Sequence, residues 1–209
     1  MIQIARRGVC LILSAPSGAG KTAIAEALLA TEPELESSIS VTTRARRPAE
    51  IDGVHYHFLT EAEFQRAEQD GELLEWARVL QGTHAYGTPR APVEKALAAG
   101  RDVVFDIDWQ GHQQLRQKLP ADVVSVFVLP PNIAALRARL VGRAGDGSAE
   151  IDRRMRVACD EIRHWVEFDH VVINEDLAVA TEAVRGVLHA ARVATTRLVG
   201  LPDFVGSLR

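Results

Sequence analysis

One stretch near the N-terminus combines glycine, lysine and threonine at a spacing that suits phosphate chemistry. Residues 14–22 read Ser-Ala-Pro-Ser-Gly-Ala-Gly-Lys-Thr, between an apolar run and a helix-forming segment. The two glycines let backbone N–H groups turn toward an anion, and the following helix adds free N–H groups and a positive dipole end. Lys21 can reach the β- and γ-phosphates of a nucleotide, and the Thr22 hydroxyl can bind Mg²⁺. The pattern predicts a nucleotide-binding loop, although Ala15 stands where the usual pattern has glycine.

The segments around this loop alternate between strand and helix patterns. The unbroken apolar run at residues 9–13 predicts a buried strand of a parallel sheet covered on both faces. Further buried strands are predicted at 103–107 and 123–129, and a short strand at 171–173. Helices are predicted between and after them, at about 20–30, 92–99, 110–118, 132–141, 149–168 and 176–192. This alternation predicts an α/β fold with a parallel sheet and right-handed crossovers.

Residues 38–92 follow a different pattern. Extended stretches with apolar and polar residues are predicted at 39–41, 54–58, 73–79 and 82–88. Asp52-Gly53 is a hairpin signal between the first two stretches. Thr60 and Glu63 match a capping box at the start of a short helix. We interpret this segment as a small mixed lobe inserted into the α/β frame.

Composition narrows the class of protein. The chain has 209 residues, 47% hydrophobic and 25% charged, with a net charge of −4. These values favour one globular domain with an insertion and argue against a nucleic-acid binder. Cys10 and Cys159 are interpreted as buried, reduced thiols, typical of a cytoplasmic protein. No segment is long enough to cross a membrane, and the composition leaves a homo-oligomer open.

Seven short motifs occur in a fixed order along almost the whole chain. They are the loop at 14–22, Ser-Val-Thr-Thr-Arg at 40–44 with Arg47, and the segments 53–58, 74–77, 86–88, 106–111 and 173–176. Together they resemble the guanylate kinase family, whose members phosphorylate GMP with ATP. The resemblance implies a three-layer P-loop core, a parallel sheet with helices on both faces, formed by residues 1–37, 93–140 and 156–209. It also implies a mixed α+β GMP-binding lobe at 38–92 and a helical lid at 141–155.

The resemblance assigns one group of residues to ATP. The loop residues are Ala15, Pro16, Ser17, Gly18, Ala19, Gly20, Lys21 and Thr22. Asn174 matches a position beside the adenine. Three lid arginines, Arg139, Arg143 and Arg154, match positions around the phosphoryl group that is transferred. The lid departs from the family pattern, because Gly142-Arg143-Ala144 replaces Gly-Arg-Gly.

A second group is assigned to GMP. By the resemblance, Glu75 accepts from N1–H and N2–H₂ of guanine, and the hydroxyls of Ser40 and Thr88 donate to O6. The acceptor phosphate falls to Arg44, Arg47, Tyr56 and Tyr86, whose side chains can donate to phosphate oxygens. Without the family, the two arginines would also fit a solvated basic turn.

Asp106 and Asp108 lie at the C-terminal end of a predicted buried strand, where ligands gather in open parallel sheets. Residues two apart on a strand point to the same side. We interpret Asp106, with Thr22, as holding Mg²⁺ through its water shell, and Asp108 as facing the GMP site. The alternative is a pair of side chains that cap a neighbouring helix.

The predicted reaction is ATP plus GMP giving ADP plus GDP, by in-line transfer assisted by Mg²⁺. Two other readings stay open at this point. A related kinase of a phosphorylated sugar would not need the purine contacts of Glu75, Ser40 and Thr88. A guanylate-kinase-like protein-interaction module would not need a working phosphate loop.

Overall fold

The computed structural model describes residues 4–79, 83–141 and 148–208. The elements, in chain order, are β1 Cys10–Ser14, α1 Lys21–Thr31, β2 Leu35–Ser37, β3 Val41–Thr42, β4 His57–Phe58, α2 Glu61–Gln69, β5 Leu73–Val79, β6 His84–Pro89, α3 Arg90–Ala98, β7 Asp102–Asp106, α4 Trp109–Lys118, β8 Val123–Leu129, α5 Ile133–Val141, α6 Ser148–Ile162, β9 His170–Ile173, α7 Leu177–Arg192 and α8 Leu201–Gly206. Short 3₁₀ turns cover Arg163–Glu167 and Thr195–Arg197. The predicted strands at the centre of the sheet are confirmed, and the long helix predicted to residue 168 ends as an α-helix at Ile162.

Five parallel strands form the main sheet, in the order β2-β7-β1-β8-β9. Strand β1 is buried along its whole length because both faces of the sheet are covered. Leu11 and Leu13 pack with α1 and α7 on one face, while Cys10 and Ile12 pack with α3 and α4 on the other. The alternation follows from the two-residue period of a strand. The predicted three-layer α/β architecture is confirmed.

The inserted lobe contains a four-stranded sheet in the order β4-β3-β6-β5. Its small core includes Val41, Phe64, Leu73 and Ala85. Helix α2 begins with the predicted capping box, in which the Thr60 hydroxyl accepts from the Glu63 N–H and the Glu63 carboxylate accepts from the Thr60 N–H.

The predicted hairpin at Asp52-Gly53 is wrong. Strands β3 and β4 pair in parallel, with Val41 opposite His57. The turn itself forms, because Gly53 has a φ of 74° and its N–H donates to the Tyr56 carbonyl at 2.8 Å. The chain between the strands therefore makes a loop and returns in the same direction.

Helices α5 and α6 share a separate apolar cluster of Leu136, Leu140, Ile151, Met155 and Ala158. The thiol prediction is half right: Cys10 is buried, whereas Cys159 is exposed on α6, so the expectation of two buried thiols is corrected. Among the described residues, no helix combines the length and apolar character needed to span a bilayer.

Candidate active site

The phosphate loop joins β1 to α1 and depends on its glycines. Gly18 and Gly20 have φ angles of 92° and 98°, which only glycine adopts readily. A Cβ atom at Gly20 would lie 2.3 Å from the Asn174 side-chain nitrogen, so a larger residue would displace the Asn174 side chain. Helix α1 carries no side-chain N-cap, so its first N–H groups stay available for an anion.

Lys21 and Thr22 both contact Asp106 at the C-terminal end of β7. The Lys21 ammonium pairs with one carboxylate oxygen, and the Thr22 hydroxyl donates to the other at 2.7 Å. Burial lowers the pKa of Lys21, while the charges of Asp108 and Glu161 oppose that shift. The structure thus brings together the three residues that the sequence placed at the transferring phosphate and the metal.

This donor set fits Mg²⁺. A hydroxyl and a carboxylate oxygen are hard ligands, and Mg²⁺ usually takes few protein ligands while keeping waters and substrate phosphates. In the described parts of the chain, no cluster of three or more His, Cys, Asp or Glu side chains forms a self-sufficient metal cage. The site therefore suits a metal that arrives with a nucleotide.

Two residues, Asn174 and Arg139, donate hydrogen bonds to the backbone of the phosphate loop. The Asn174 amide donates to the Ala19 carbonyl at 2.8 Å, and Arg139 donates to the same carbonyl at 3.3 Å and to the Asn174 carbonyl at 2.9 Å. Asn174 is buried, and its Oδ1 has no hydrogen-bond partner among the described residues. A cleft of about 510 Å³ opens beside these residues and Gly18, Glu175 and Leu177.

Helix α6 reaches the phosphate loop through Ser17. Arg154 donates to the Ser17 hydroxyl at 3.2 Å, so one predicted lid arginine lies at the loop. The Ser17 N–H donates to the Glu161 carboxylate at 3.2 Å. Burial raises the pKa of Glu161, and that hydrogen bond opposes the shift. Arg143, the third predicted lid arginine, lies outside the described residues.

The candidate guanine pocket is built on the paired strands β5 and β6. Glu75 and Thr88 lie opposite each other in the ladder, and the Thr88 hydroxyl donates to the Glu75 carboxylate at 2.6 Å. Burial raises the pKa of Glu75 to about 7, although the Thr88 hydrogen bond and Lys118 oppose the shift. The Thr88 hydrogen is committed to Glu75 here, so donation to a guanine O6 requires the hydroxyl to rotate.

Three of the four predicted phosphate-binding residues form one cluster in the lobe. The Arg44 guanidinium lies over the Tyr56 ring at 5.5 Å, its Nε donates to the Tyr86 hydroxyl at 3.2 Å, and the two rings meet edge to face. Glu50 accepts a fork from Arg44 at 2.7 and 3.1 Å and a bond from the Arg47 N–H at 2.8 Å. These bonds lower the pKa of Glu50 to about 2, the Arg44 fork being the main cause.

Asp108 and Ser40 complete the predicted set. Asp108 caps α4, accepting from the Gly111 N–H at 2.9 Å, so the capping alternative describes one of its oxygens. The charge of Asp108 also acts to raise the pKa of both Lys21 and Glu75, so it is felt on the phosphate-loop side and on the lobe side. Ser40 is half-buried, and its carbonyl accepts from the His57 N–H at 2.9 Å.

Sequence reasoning missed Glu50, Glu161, Gly111 and Gln114. A Cβ atom at Gly111 would lie 3.2 Å from the Glu75 carboxylate, so α4 packs directly on the candidate guanine reader. Glu50 lies three residues after Arg47, and that short spacing was the one available signal. The other three act across the tertiary structure, which local patterns do not reveal.

A phosphate loop that contacts the end of β7, together with an inserted lobe that packs on α4, is the arrangement of a P-loop phosphotransferase. The family model described as guanylate kinase matches residues 7–191. The chain therefore belongs to the guanylate kinase family.

Individual relatives agree over nearly the full length. The guanylate kinase of Gluconobacter oxydans (strain 621H) is 61% identical over 207 residues, 99% of each chain. The guanylate kinase of Chelativorans sp. (strain BNC1) is 55% identical, over 98% of this chain and 93% of the relative. The crystal structure of guanylate kinase from Anaplasma phagocytophilum matches with a TM-score of 0.77 at 34% identity, covering 98% of this chain and 96% of that one.

The family resemblance stated from the motifs is thereby confirmed, together with the fold and the ATP-dependent guanylate kinase class. The sugar-phosphate kinase and the interaction module are not favoured. The roles of individual site residues stay predictions.

Proposed function

We propose that this protein transfers the terminal phosphoryl group of ATP to the phosphate of GMP, giving ADP and GDP. One new P–O bond forms to GMP as the bond to ADP breaks. The acceptor is already an anion, so the chemistry needs positioning and charge neutralisation more than a strong base.

On the ATP side, the loop residues 15–22 bind the phosphates through backbone N–H groups. Lys21 holds the transferring phosphoryl, and its charge is neutralised by Arg139 on α5 and by Arg143 and Arg154 of the lid. The contacts of Arg139 with Ala19 and of Arg154 with Ser17 support this role, because both place a guanidinium at the loop. The Oδ1 of Asn174, which has no partner in the described parts of the chain, supports contact with an adenine amine.

On the GMP side, Glu75 accepts from both donors of the guanine edge, and Thr88 and Ser40 face O6. Adenine would leave Glu75 unpaired, since adenine offers an acceptor at N1 and no N2 amine. Arg44, Arg47, Tyr56 and Tyr86 bind the acceptor phosphate. Asp108 faces the GMP between the two halves of the site.

Mg²⁺ would be held by the Thr22 hydroxyl and, through water, by Asp106. When bound, it supplies positive charge that neutralises the phosphate oxygens. Asp106 pairs with Lys21 as well, so this carboxylate orients the Lys21 ammonium toward the proposed Mg²⁺ site.

We divide the chain into a core of residues 1–37, 93–140 and 156–209, a GMP lobe of 38–92 and a lid of 141–155. The separate lobe sheet and the apolar cluster between α5 and α6 support this division. Closure of the lobe and lid on their substrates would exclude water from the reaction. Two free thiols, Cys10 and Cys159, support a cytoplasmic location.

The observation that carries the proposal is the arrangement around β7 and α4. The Lys21–Thr22–Asp106 group lies at the end of β7, and Glu75 packs on the first turn of the helix that follows. A coupled assay of ADP formation with GMP, AMP, CMP and ribose phosphates tests it. Turnover restricted to GMP supports the proposal, and equal or faster turnover with a ribose phosphate would contradict it.

A further inference from the structure

The strand that carries Glu75 lies at the edge of the lobe sheet, yet its outer edge is not open. The Trp76 N–H donates to the Gln114 side-chain oxygen at 3.1 Å, and the Gln114 amide donates to the Trp76 carbonyl at 2.9 Å. A primary amide thus pairs with both backbone groups of one residue, as a neighbouring strand would. Gln114 is half-buried on α4, a helix that packs on the main sheet and is not part of the lobe.

Other contacts bring the same helix against the same strand. The Lys118 ammonium donates to the Leu73 carbonyl at 2.8 Å, and the missing side chain of Gly111 lets α4 approach the Glu75 carboxylate. The ladder between β5 and β6 shifts register between Leu73 and Glu75. Such a bulge re-aims side chains, and here Leu74 enters the apolar cluster that Cys10 and Ile12 form with α3 and α4, while Glu75 meets Thr88.

We propose that Gln114 is a positioning residue for guanine recognition, which holds β5 so that the Glu75 carboxylate faces the Watson–Crick edge of GMP. The proposal rests on the proposed role of Glu75. Gln114 does not touch the substrate; it fixes the backbone immediately after Glu75. A bidentate contact with guanine needs both carboxylate oxygens in place, so it is sensitive to small displacements of the strand.

The test compares Gln114→Met with the wild-type protein. Methionine has nearly the same length and can pack in the same space, but it cannot pair with the Trp76 backbone. Gln117→Met is the matched control, because Gln117 is an exposed glutamine of the same helix whose side chain makes no hydrogen bond with the described residues. Steady-state kinetics are measured with GMP and with IMP, which lacks the N2 amine.

We expect Gln114→Met to lower kcat/KM for GMP roughly 10-fold, to lower that for IMP less, and to leave KM for ATP unchanged. The control should match the wild-type protein. Gln114→Glu keeps an acceptor for the Trp76 N–H but places a second acceptor against the Trp76 carbonyl, so it should also lower kcat/KM for GMP more than that for IMP. It is the second variant if Gln114→Met folds poorly. The proposal is overturned if both Gln114 variants leave the ratio of kcat/KM for GMP to kcat/KM for IMP unchanged.

The Glu75→Gln variant separates this proposal from its premise. If Glu75→Gln narrows the GMP/IMP preference and Gln114→Met does not, Glu75 reads guanine without help from Gln114. If Glu75→Gln leaves the preference unchanged, the premise itself fails. In the double variant, the effect of Gln114→Met on the GMP/IMP ratio should largely vanish, because the Glu75 carboxylate that Gln114 positions is absent.

Discussion

The Thr88 hydroxyl donates to the Glu75 carboxylate at 2.6 Å across the β5–β6 ladder. This is the one hydrogen bond that Glu75 makes with the described side chains, and the residue as a whole is 6% exposed. A buried carboxylate with spare acceptor sites is costly for the free protein and well suited to a ligand that brings two donors. The burial of the Glu75 carboxylate should therefore affect both the activity and the stability of the protein.

The activity should depend on the ionisation of Glu75. Burial raises the pKa of Glu75 to about 7, and the ionised form is the one that accepts both guanine donors. As the pH falls from 7 to 5, kcat/KM for GMP should fall about 10-fold per pH unit. The phosphate of GMP titrates near this range, so the Glu75→Gln profile is the control. A pH profile that is the same in both proteins would contradict the prediction.

The same burial should lower stability at high pH. Because the folded pKa of Glu75 lies above its ordinary value of 4.5, the folded state binds the proton more tightly. The stabilisation from the protonated group is complete below about pH 4.5 and is lost as the pH rises through 7. Glu75→Gln should therefore gain up to about 3 kcal/mol over the wild-type protein at pH 8, and little at pH 4.5.

Thermal unfolding at the two pH values measures this effect. Glu72→Gln, at an exposed position just before β5, is the matched control and should show no such pH-dependent gain. A Glu75→Gln gain that is equal at both pH values would show that burial does not perturb this carboxylate.

Local chemistry was predicted well from the sequence. The Thr60–Glu63 capping box forms as predicted, since it depends on residues three apart. The phosphate loop was also predicted from local sequence, because its residues are consecutive in the chain. Buried strands were also located closely, because parallel strands covered on both faces are continuous apolar runs.

Relations between distant segments were not predictable in this way. The Asp52-Gly53 turn forms, but strand pairing is decided by the rest of the lobe, and β4 pairs in parallel with β3. Glu50 was missed because its fork with Arg44 depends on how the loop folds back. The Gln114 contact joins residues 38 positions apart, and nothing in the sequence around Gln114 marks it.

Lys21→Ala should abolish most of the turnover without unfolding the protein. A positioned cation at the transferring phosphoryl contributes roughly 3–5 kcal/mol to the transition state, so kcat should fall by two to four orders of magnitude. Lys95→Ala, at an exposed position on α3, is the control. Near-normal kcat in a folded Lys21→Ala protein would show that the loop does not hold the transferring group.

Gly111→Ala should impair the GMP half of the site selectively. The added Cβ would lie 3.2 Å from the Glu75 carboxylate and 3.1 Å from the Ile107 Cδ1, so the strand or the helix must shift. We expect KM for GMP to rise several-fold with KM for ATP unchanged. Gly186→Ala on α7, where an added Cβ meets nothing within 4 Å, is the control. Unchanged kinetics with GMP would mean that α4 and Glu75 can move apart without loss.

The most direct test of the account is kcat/KM for GMP and for IMP in the wild-type protein and in Glu75→Gln. The amide replaces one acceptor with a donor that faces a guanine donor, so a charge-assisted contact becomes a repulsion. This should cost about 2–4 kcal/mol with GMP, or about 30- to 1000-fold in kcat/KM. IMP should lose less, since it has no N2 amine, and the GMP/IMP preference should narrow. Equal losses for GMP and IMP, or no loss for either, would contradict the claim that Glu75 reads guanine.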